Sequence, residues 1–191
     1  MILNEGMTLY HGSYAPISVI DLSKCANGKD FGRGFYVTSD KDQAVRFIKT
    51  SLLKAQQIGV VDTGQKYGYL SEFCFHQPAC SLRVHSFAAA DGDWLRFIAI
   101  NRRPSLAKKL QSLIDSTLND ADVVIGKVAN DTTNTVITTY LNGLYGPVND
   151  ESSIRIAISQ LLSERLKDQY CFLTEKSIAC LEPLRVERYE V

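Results

Sequence analysis

Three short segments of the chain combine residue types that bind ligands or take part in catalysis. Tyr10-His11-Gly12-Ser13 places an imidazole after an apolar run, beside a glycine whose backbone a ligand can approach closely. Gly32-Arg33-Gly34-Phe35-Tyr36 offers open backbone for a flat ligand and an aromatic ring to stack on it. Asp168-Gln169 is a polar pair at the start of an apolar run, where a buried amide needs hydrogen-bond partners. Each of these segments taken alone is only a weak indication of a ligand site.

Each segment alone also has a purely structural explanation. The first fits a surface histidine in a turn, the second a β-bulge beside a core tyrosine, and the third a helix end followed by a strand. The second segment is not a Rossmann fingerprint, because a third glycine is missing and no strand–helix unit surrounds it. His76 and His85 show no partner pattern and receive no role.

The elements that carry these segments follow from the apolar periodicity. Short β-branched and aromatic runs predict strands at 7–11, 31–38 and 169–174. Apolar residues at helical spacing predict a helix from Lys41 to about Gln57, with Ser39 or Asp40 as its N-cap. The rest of the sequence predicts strands within 67–87 and at 121–126 and 184–191, and helices that begin at Asp91 and Asp150. The pattern of 132–141 fits either a helix or a strand. Strands and helices that mix without strict alternation favour an α+β fold.

In this order, the three segments resemble the signature of ADP-ribosyltransferases of the poly(ADP-ribose) polymerase and diphtheria-toxin type. That signature has a His-Gly-Ser or His-Gly-Thr strand, then Phe-Gly-x-Gly-x-Tyr, then a late strand that carries a glutamate. The whole chain also resembles a bacterial branch of the same fold. The stretches that carry this second resemblance are Leu9 to Ser13, Asp30 to Thr38, Trp94 to Arg102, Asp122 to Asp131 and Gln169 to Ile178.

The resemblance implies a fold and a role for each matched residue. The fold would be two packed, mainly antiparallel sheets with peripheral helices. NAD would be the co-substrate, and its nicotinamide–ribose bond would be cleaved. His11 would bind the adenosine ribose, and the backbone of Gly12 would bind the nicotinamide carboxamide. The nicotinamide ring would lie between Tyr36 and Phe47, which follows Tyr36 by eleven residues. Ser13 and Gly34 complete the matched motifs, and Arg33 would neutralise a phosphate.

One position departs from the signature, because Gln169 stands where the family has its glutamate. The glutamine keeps the hydrogen bonds and loses the negative charge, and losing one such contact costs on the order of 10²–10³ in rate. Glu175, six residues further on, is the candidate that would supply a carboxylate. The departure favours single transfer or NAD hydrolysis over polymer elongation.

Composition limits the class of protein. The 191 residues are 45% hydrophobic and 22% charged, which predicts one globular domain over 1–191. The 21 basic and 21 acidic residues balance, so no overall field attracts nucleic acid or an anionic membrane. Five cysteines without a Cys-x-x-Cys pair predict reduced thiols, no metal site and a cytoplasmic protein. Neither a signal peptide nor an apolar run near the ~20 residues of a membrane helix is present.

The leading interpretation is a mono-ADP-ribosyltransferase that modifies a protein or nucleic acid. By family analogy it would be a bacterial toxin or effector with an antitoxin-like partner. Two alternatives remain open, a non-catalytic module that binds NAD or ADP-ribose and an RNA 2′-phosphotransferase-like enzyme with several arginines on a phosphate. Acidic residues Asp91, Asp122 and Asp131 fit caps and turns better than an acceptor site, and Arg102-Arg103 fits a solvated helix face.

Overall fold

The computed structural model describes residues 2–113, 118, 120–128, 133–161 and 168–191. Within them the chain forms seven strands, five α-helices and two short 3-10 helices, an α+β fold as the sequence predicts. The strands are β1 Thr8–Ser13, β2 Phe35–Val37, β3 Tyr67–Phe75, β4 Val84–Ser86, β5 Val123–Lys127, β6 Asp168–Phe172 and β7 Leu181–Glu190. The helices are α1 Lys41–Gln57, α2 Gly92–Arg102, α3 Thr133–Leu141, α4 Glu151–Leu161 and α5 Glu175–Ile178.

The strands form two sheets that are mostly antiparallel. Sheet A has the order β1-β3-β7, and sheet B has the order β2-β6-β5-β4, in which only the β4–β5 pair is parallel. The sheets are joined where β1 meets the end of β2, through a single antiparallel bridge between Tyr10 and Thr38. This junction lies between β1 and β2, the strands that carry the first two motifs.

Side-chain alternation along the strands builds a layered molecule. The inner faces of the two sheets meet in one core, which contains Leu9, Phe35, Val37, Phe73, Val123, Ile125 and Phe172. The opposite face of sheet B, with Tyr36, Val124 and Cys171, packs against α2, α3 and α4. Helix α1 covers the outer face of sheet A through Ala44 and Ile48, which contact Leu70. Within the described residues, no helix is both long and apolar enough to span a membrane.

Capping residues set where the two helices nearest the motifs begin. The Asp40 carboxylate accepts a hydrogen bond from the Gln43 N–H at 2.9 Å and caps α1. Asp91 caps α2 in the same way, accepting from the Trp94 N–H at 3.0 Å. Both helices therefore begin where the sequence predicts, and the open segment 133–141 proves to be a helix. Trp94 is fully buried in the core.

The two other acidic candidates have different outcomes. Asp122 is buried at the start of β5 and accepts hydrogen bonds from the Arg83 N–H at 2.9 Å and the Thr174 hydroxyl at 3.1 Å. Burial raises its pKa, but these bonds outweigh that effect and leave the pKa below its usual value. Asp122 thus ties the loop before β4 to the end of β6, which is a structural role. Asp131 lies outside the described residues.

Candidate functional site

The first two motifs meet at a gap between β1 and β2. The two strands exchange backbone hydrogen bonds at Tyr10 and Thr38, at 2.8 and 3.0 Å, and the ladder stops there. One residue further along β1, His11 Nδ1 lies 2.7 Å from the Tyr36 carbonyl oxygen. A carbonyl only accepts, so Nδ1 carries the proton and donates it, and Nε2 of the neutral ring keeps an open lone pair. The His11 side chain therefore occupies a position that strand pairing would otherwise fill.

Gly12 presents its backbone to the same gap. Along an antiparallel strand, the N–H and C=O of one residue point to one side and those of the next residue to the other. The odd-numbered residues face β3, as the bond from the Phe75 N–H to the Met7 carbonyl shows, and Tyr10 faces β2. The N–H and C=O of Gly12 share the direction of Tyr10 and point into the gap. A donor and an acceptor side by side are the complement of a carboxamide, which offers one of each.

A side chain at position 12 is excluded for a second reason. A Cβ on Gly12 would lie 1.9 Å from the Ala44 carbonyl oxygen of α1 and 3.2 Å from the Ile48 side chain. Gly34 is constrained in the same way, since its Cβ would lie 2.6 Å from both Cys171 Sγ and the Phe172 carbonyl oxygen. Close packing against α1 and β6 therefore requires both glycines, independently of any ligand.

Tyr36 braces the loop that precedes it. Its hydroxyl donates to the Gly32 carbonyl at 2.8 Å and accepts from the Phe31 N–H at 2.9 Å, while Gly32 adopts a φ of 92° that favours glycine. Burial, and then the neighbouring Cys171, raise the pKa of Tyr36 well above its usual value. With its hydroxyl engaged and protonated, Tyr36 can offer a fixed ring face and no proton transfer.

Gln169 belongs to a buried polar chain that extends from β6 into α2. Its Nε2 donates to Asp30 Oδ2 at 2.9 Å, and Asp30 Oδ1 accepts from Arg102 Nε at 2.5 Å. Asp30 and Gln169 are 5% and 9% exposed, and Arg102 also bonds Asn134 Oδ1 at 3.2 Å. Gln169 thus meets the Asp30–Tyr36 loop, on the face of sheet B that Tyr36 shares. The interpretation of Arg102 as part of a solvated face is wrong, because its side chain is only 17% exposed.

Sequence reasoning assigned no role to Asp30, although it precedes Phe31 directly. Its partners are 72 and 139 positions away, so nothing in the local pattern reveals them. Lys29 is a second residue of this loop with an altered environment. Partial burial of its ammonium lowers the pKa of Lys29, and the positive charges of Lys54 and Arg102 lower it further. The charges of Lys29, Lys54 and Arg102, from the loop, α1 and α2, therefore lie near enough to interact.

Two further candidate residues, Ser13 and Arg33, form hydrogen bonds with nearby backbone groups. Ser13 is buried at the end of β1, and its hydroxyl accepts from the Ala15 N–H at 3.4 Å. Arg33 donates to the carbonyls of Cys25, at 3.1 Å, and of Ser23, so its guanidinium fixes the preceding loop. That arrangement gives Arg33 a structural task in place of the expected phosphate contact.

The structure does not bring Glu175 into the cluster, and it leaves Phe47 at the surface of α1. The Phe47 side chain is 46% exposed, and its contact with the nicotinamide ring stays a prediction. Glu175 is the exposed first residue of α5, beyond the opposite end of β6 from Gln169. An extended strand rises about 3.3 Å per residue, so β6 holds the two residues far apart. Glu175 instead lines a shallow groove with Phe73 and Ile178.

Opposite pKa shifts at two histidines provide a test of the gap. Burial lowers the pKa of His11 from 6.5, and its bond to the Tyr36 carbonyl offsets only part of this. Hydrogen bonds that the His76 ring donates to the carboxylates of Glu5, at 2.8 Å, and Glu182, at 2.7 Å, raise the pKa of His76 above 6.5. We expect ring-proton NMR titrations to give a midpoint below 6.5 for His11 and above it for His76.

The effect on stability follows from these directions. The unfolded chain takes up a proton at position 11 before the folded chain does, so His11 reduces stability as pH falls through 6.5. His76 stabilises the folded chain below 6.5 and loses this contribution as pH rises through its raised folded-state pKa. A His11 midpoint at or above that of His76 would contradict the placement of the ring in the gap.

With this geometry established, comparison with known proteins assigns the family. A family model described as "Protein of unknown function (DUF3990)" matches residues 7–182, which include every strand and helix of the site. The chain belongs to the DUF3990 family. No curated protein and no solved structure gives a significant match to this DUF3990 chain. The geometry of the gap and of the buried polar chain is therefore the basis for a functional proposal.

Proposed function

We propose that this DUF3990 protein has the ADP-ribosyltransferase fold and is an NAD-dependent mono-ADP-ribosyltransferase that modifies a macromolecule. The observation that carries the proposal is the unfilled strand position at Gly12. Its N–H and C=O point into the gap where β1 and β2 stop pairing, beside the His11 ring that bonds the Tyr36 carbonyl. A nicotinamide carboxamide would complete both hydrogen bonds there, as a partner strand does elsewhere in the sheet.

The surrounding residues fit the other parts of NAD. Nε2 of neutral His11 is an acceptor for a ribose hydroxyl, since Nδ1 is already committed to the Tyr36 carbonyl. The braced Tyr36 ring provides a stacking face for nicotinamide. The positive charges of Lys29 and Lys54 would favour the pyrophosphate. None of these side chains needs to move a proton during bond cleavage.

The proposed reaction is a nucleophilic substitution at the ribose carbon that carries nicotinamide. The nicotinamide–ribose bond breaks with its electron pair leaving on nicotinamide, and the ribose carbon develops oxocarbenium character. An acceptor nucleophile then bonds to that carbon and loses a proton. Fixed dipoles around the ribose lower the barrier because they are oriented before the charge develops. The Gln169 amide oxygen would accept from a hydroxyl of the nicotinamide ribose, while His11 would serve the adenosine ribose.

Family analogy extends the proposal to a bacterial toxin or effector, with a protein or nucleic-acid acceptor and an antitoxin-like partner. The alternative, a non-catalytic NAD-binding module, uses the same gap and differs only in turnover. An RNA 2′-phosphotransferase would need arginines that converge on a phosphate. Arg33 and Arg102 are instead held by Ser23 and Cys25 carbonyls and by Asp30, so this alternative has less support.

Nicotinamide and nicotinic acid, which differ only in the carboxamide or carboxylate group, test the proposed carboxamide contact at Gly12. We expect nicotinamide to shift the amide resonance of Gly12 in a ¹⁵N-labelled sample, with millimolar ligand sufficient for so small a molecule. Nicotinic acid should shift it far less, because its carboxylate cannot donate to the Gly12 carbonyl and is repelled by it. NAD should shift the Gly12 resonance at lower concentration than nicotinamide. Equal responses to nicotinamide and nicotinic acid, or none at Gly12, would remove the basis of the proposal.

A further inference from the structure

The buried polar chain fixes which atom of the Gln169 amide is free. Asp30 accepts hydrogen bonds through Oδ2 from Gln169 Nε2 and through Oδ1 from Arg102 Nε, at 2.9 and 2.5 Å. A carboxylate only accepts, so it selects the NH₂ end of the amide and turns the oxygen end away. Because Arg102 holds Asp30 from the other side, the amide of Gln169 cannot flip without breaking a buried charged contact.

We propose that Asp30 is a positioning residue that presents Gln169 Oε1 as the acceptor for a ribose hydroxyl of NAD. This inference rests on the proposed function and deepens it. The negative charge that the glutamate of the signature would supply is retained, but it stands one hydrogen bond behind the amide. A charged partner on the NH₂ group also polarises the amide and makes Oε1 a stronger acceptor. Asp30 and Gln169 together then do the work of a single glutamate.

The proposal predicts a loss of activity for Gln169→Glu, the substitution that installs the glutamate of the ADP-ribosyltransferase signature. Gln169→Glu places a second carboxylate about 2.9 Å from Asp30, where two like charges cannot both remain ionised without a large cost. We therefore expect Gln169→Glu to release nicotinamide at least tenfold more slowly than the wild type. Asp30→Asn leaves two amides without the negative charge and removes the partner of Arg102, so it should also be at least tenfold slower.

Exchanging the two groups should rescue the loss. In the double variant Asp30→Asn/Gln169→Glu, the amide of residue 30 donates to the carboxylate of residue 169, so one charge and one hydrogen bond are regained. We expect the double variant to exceed Gln169→Glu by at least tenfold in turnover. The loss in Asp30→Asn should appear in kcat, with KM for NAD changed less than about threefold, because Asp30 acts through Gln169. Asp93→Asn removes an exposed carboxylate of α2 and serves as the control with near wild-type turnover.

A readout without NAD separates the two proposals. The like-charge pair in Gln169→Glu raises the pKa of one carboxyl in the folded state. The lost stability should therefore be regained as pH falls from 7 toward 5, and the Tm deficit should shrink over that range. The double variant should show no such pH dependence. Measuring Tm and turnover for the same set of proteins tests both proposals at once.

The outcomes are distinguishable. The expected Tm pattern together with rescue of turnover supports the positioning role. Wild-type release combined with an equally active Gln169→Glu variant, or a double variant no better than either single one, overturns the role of Asp30 alone. The Tm pattern without nicotinamide release from any form overturns the proposed function, and the positioning role with it.

Discussion

Gly12→Ala is expected to destabilise the protein by about 3 kcal/mol or more, at the upper end of what overpacking costs. The added Cβ would lie 1.9 Å from a backbone oxygen of α1, and a helix carbonyl cannot rotate aside as a flexible side chain can. Either α1 moves away from sheet A or β1 shifts, and both movements would change the position of the Gly12 N–H and C=O. Thermal unfolding should show Tm lower by about 6–12 °C for a chain of this size. NAD binding should weaken in parallel.

Gly92→Ala is the matched control for this substitution. Its Cβ would meet only side-chain atoms, none closer than 3.4 Å, and Gly92 is the first residue of α2. Alanine restricts the unfolded chain and suits a helix, so Tm should stay the same or rise slightly. If Gly12→Ala were as stable as Gly92→Ala, α1 could not lie on β1 as described.

Tyr36→Ala is expected to reduce nicotinamide release by about 10²-fold or more, because loss of orientation alone has effects of that size. The substitution removes the stacking face and both hydrogen bonds that hold the 30–34 loop. Asp30 belongs to that loop, so the bond from Gln169 to Asp30 loses its fixed geometry as well. Initial rates of nicotinamide release at saturating and limiting NAD give the effects on kcat and KM separately.

Tyr36→Phe is the companion variant. It keeps the ring and leaves the Phe31 N–H without its partner, so the loop loosens while the stacking face remains. Its turnover should fall by less than about tenfold. Turnover equal to the wild type in Tyr36→Ala, with the fold intact by circular dichroism, would contradict the assignment of nicotinamide to this face.

Local patterns in the sequence predicted most of the elements and not the contacts between them. The strand predicted at 31–38 is confined to Phe35–Val37, and the short helix α5 was not predicted. Ala44, Ile48, Leu52 and Ala55 recur at helical spacing and are the buried residues of α1, so the predicted helix is confirmed. Periodicity could not separate Phe47 from that face. Phe47 directly precedes Ile48, yet it lies 46% exposed beside the buried side of the helix.

The chemistry of the glycines was only partly visible from sequence. Open backbone for a ligand was the prediction at Gly12 and Gly34, and it stays a prediction. The requirement for glycine comes from α1 and β6, which approach these positions from far along the chain. Such close approaches depend on the packing of distant elements, which a residue type and its neighbours do not encode.

The contacts of the buried polar chain could not be predicted from sequence either. A local reading gave Gln169 a place in a motif, gave Asp30 only a place in a loop, and put Arg102 on a solvated face. Their contacts join β6, the loop before β2 and the end of α2, and these segments meet only after sheet B forms. Glu175 illustrates the converse error, since it is close to Gln169 in sequence and is separated from it by the length of β6.

Nicotinamide release from NAD by the purified, unmodified chain tests the central claim most directly. We expect release without added metal or reductant, and its loss in Tyr36→Ala and in Gln169→Ala, which removes the acceptor at the ribose. ADP-ribose should appear either free or attached to a macromolecule from added cell lysate. NAD binding without release, with lysate present, would contradict a transferase and favour the binding module. Absence of both binding and release would contradict the assignment of NAD to the gap.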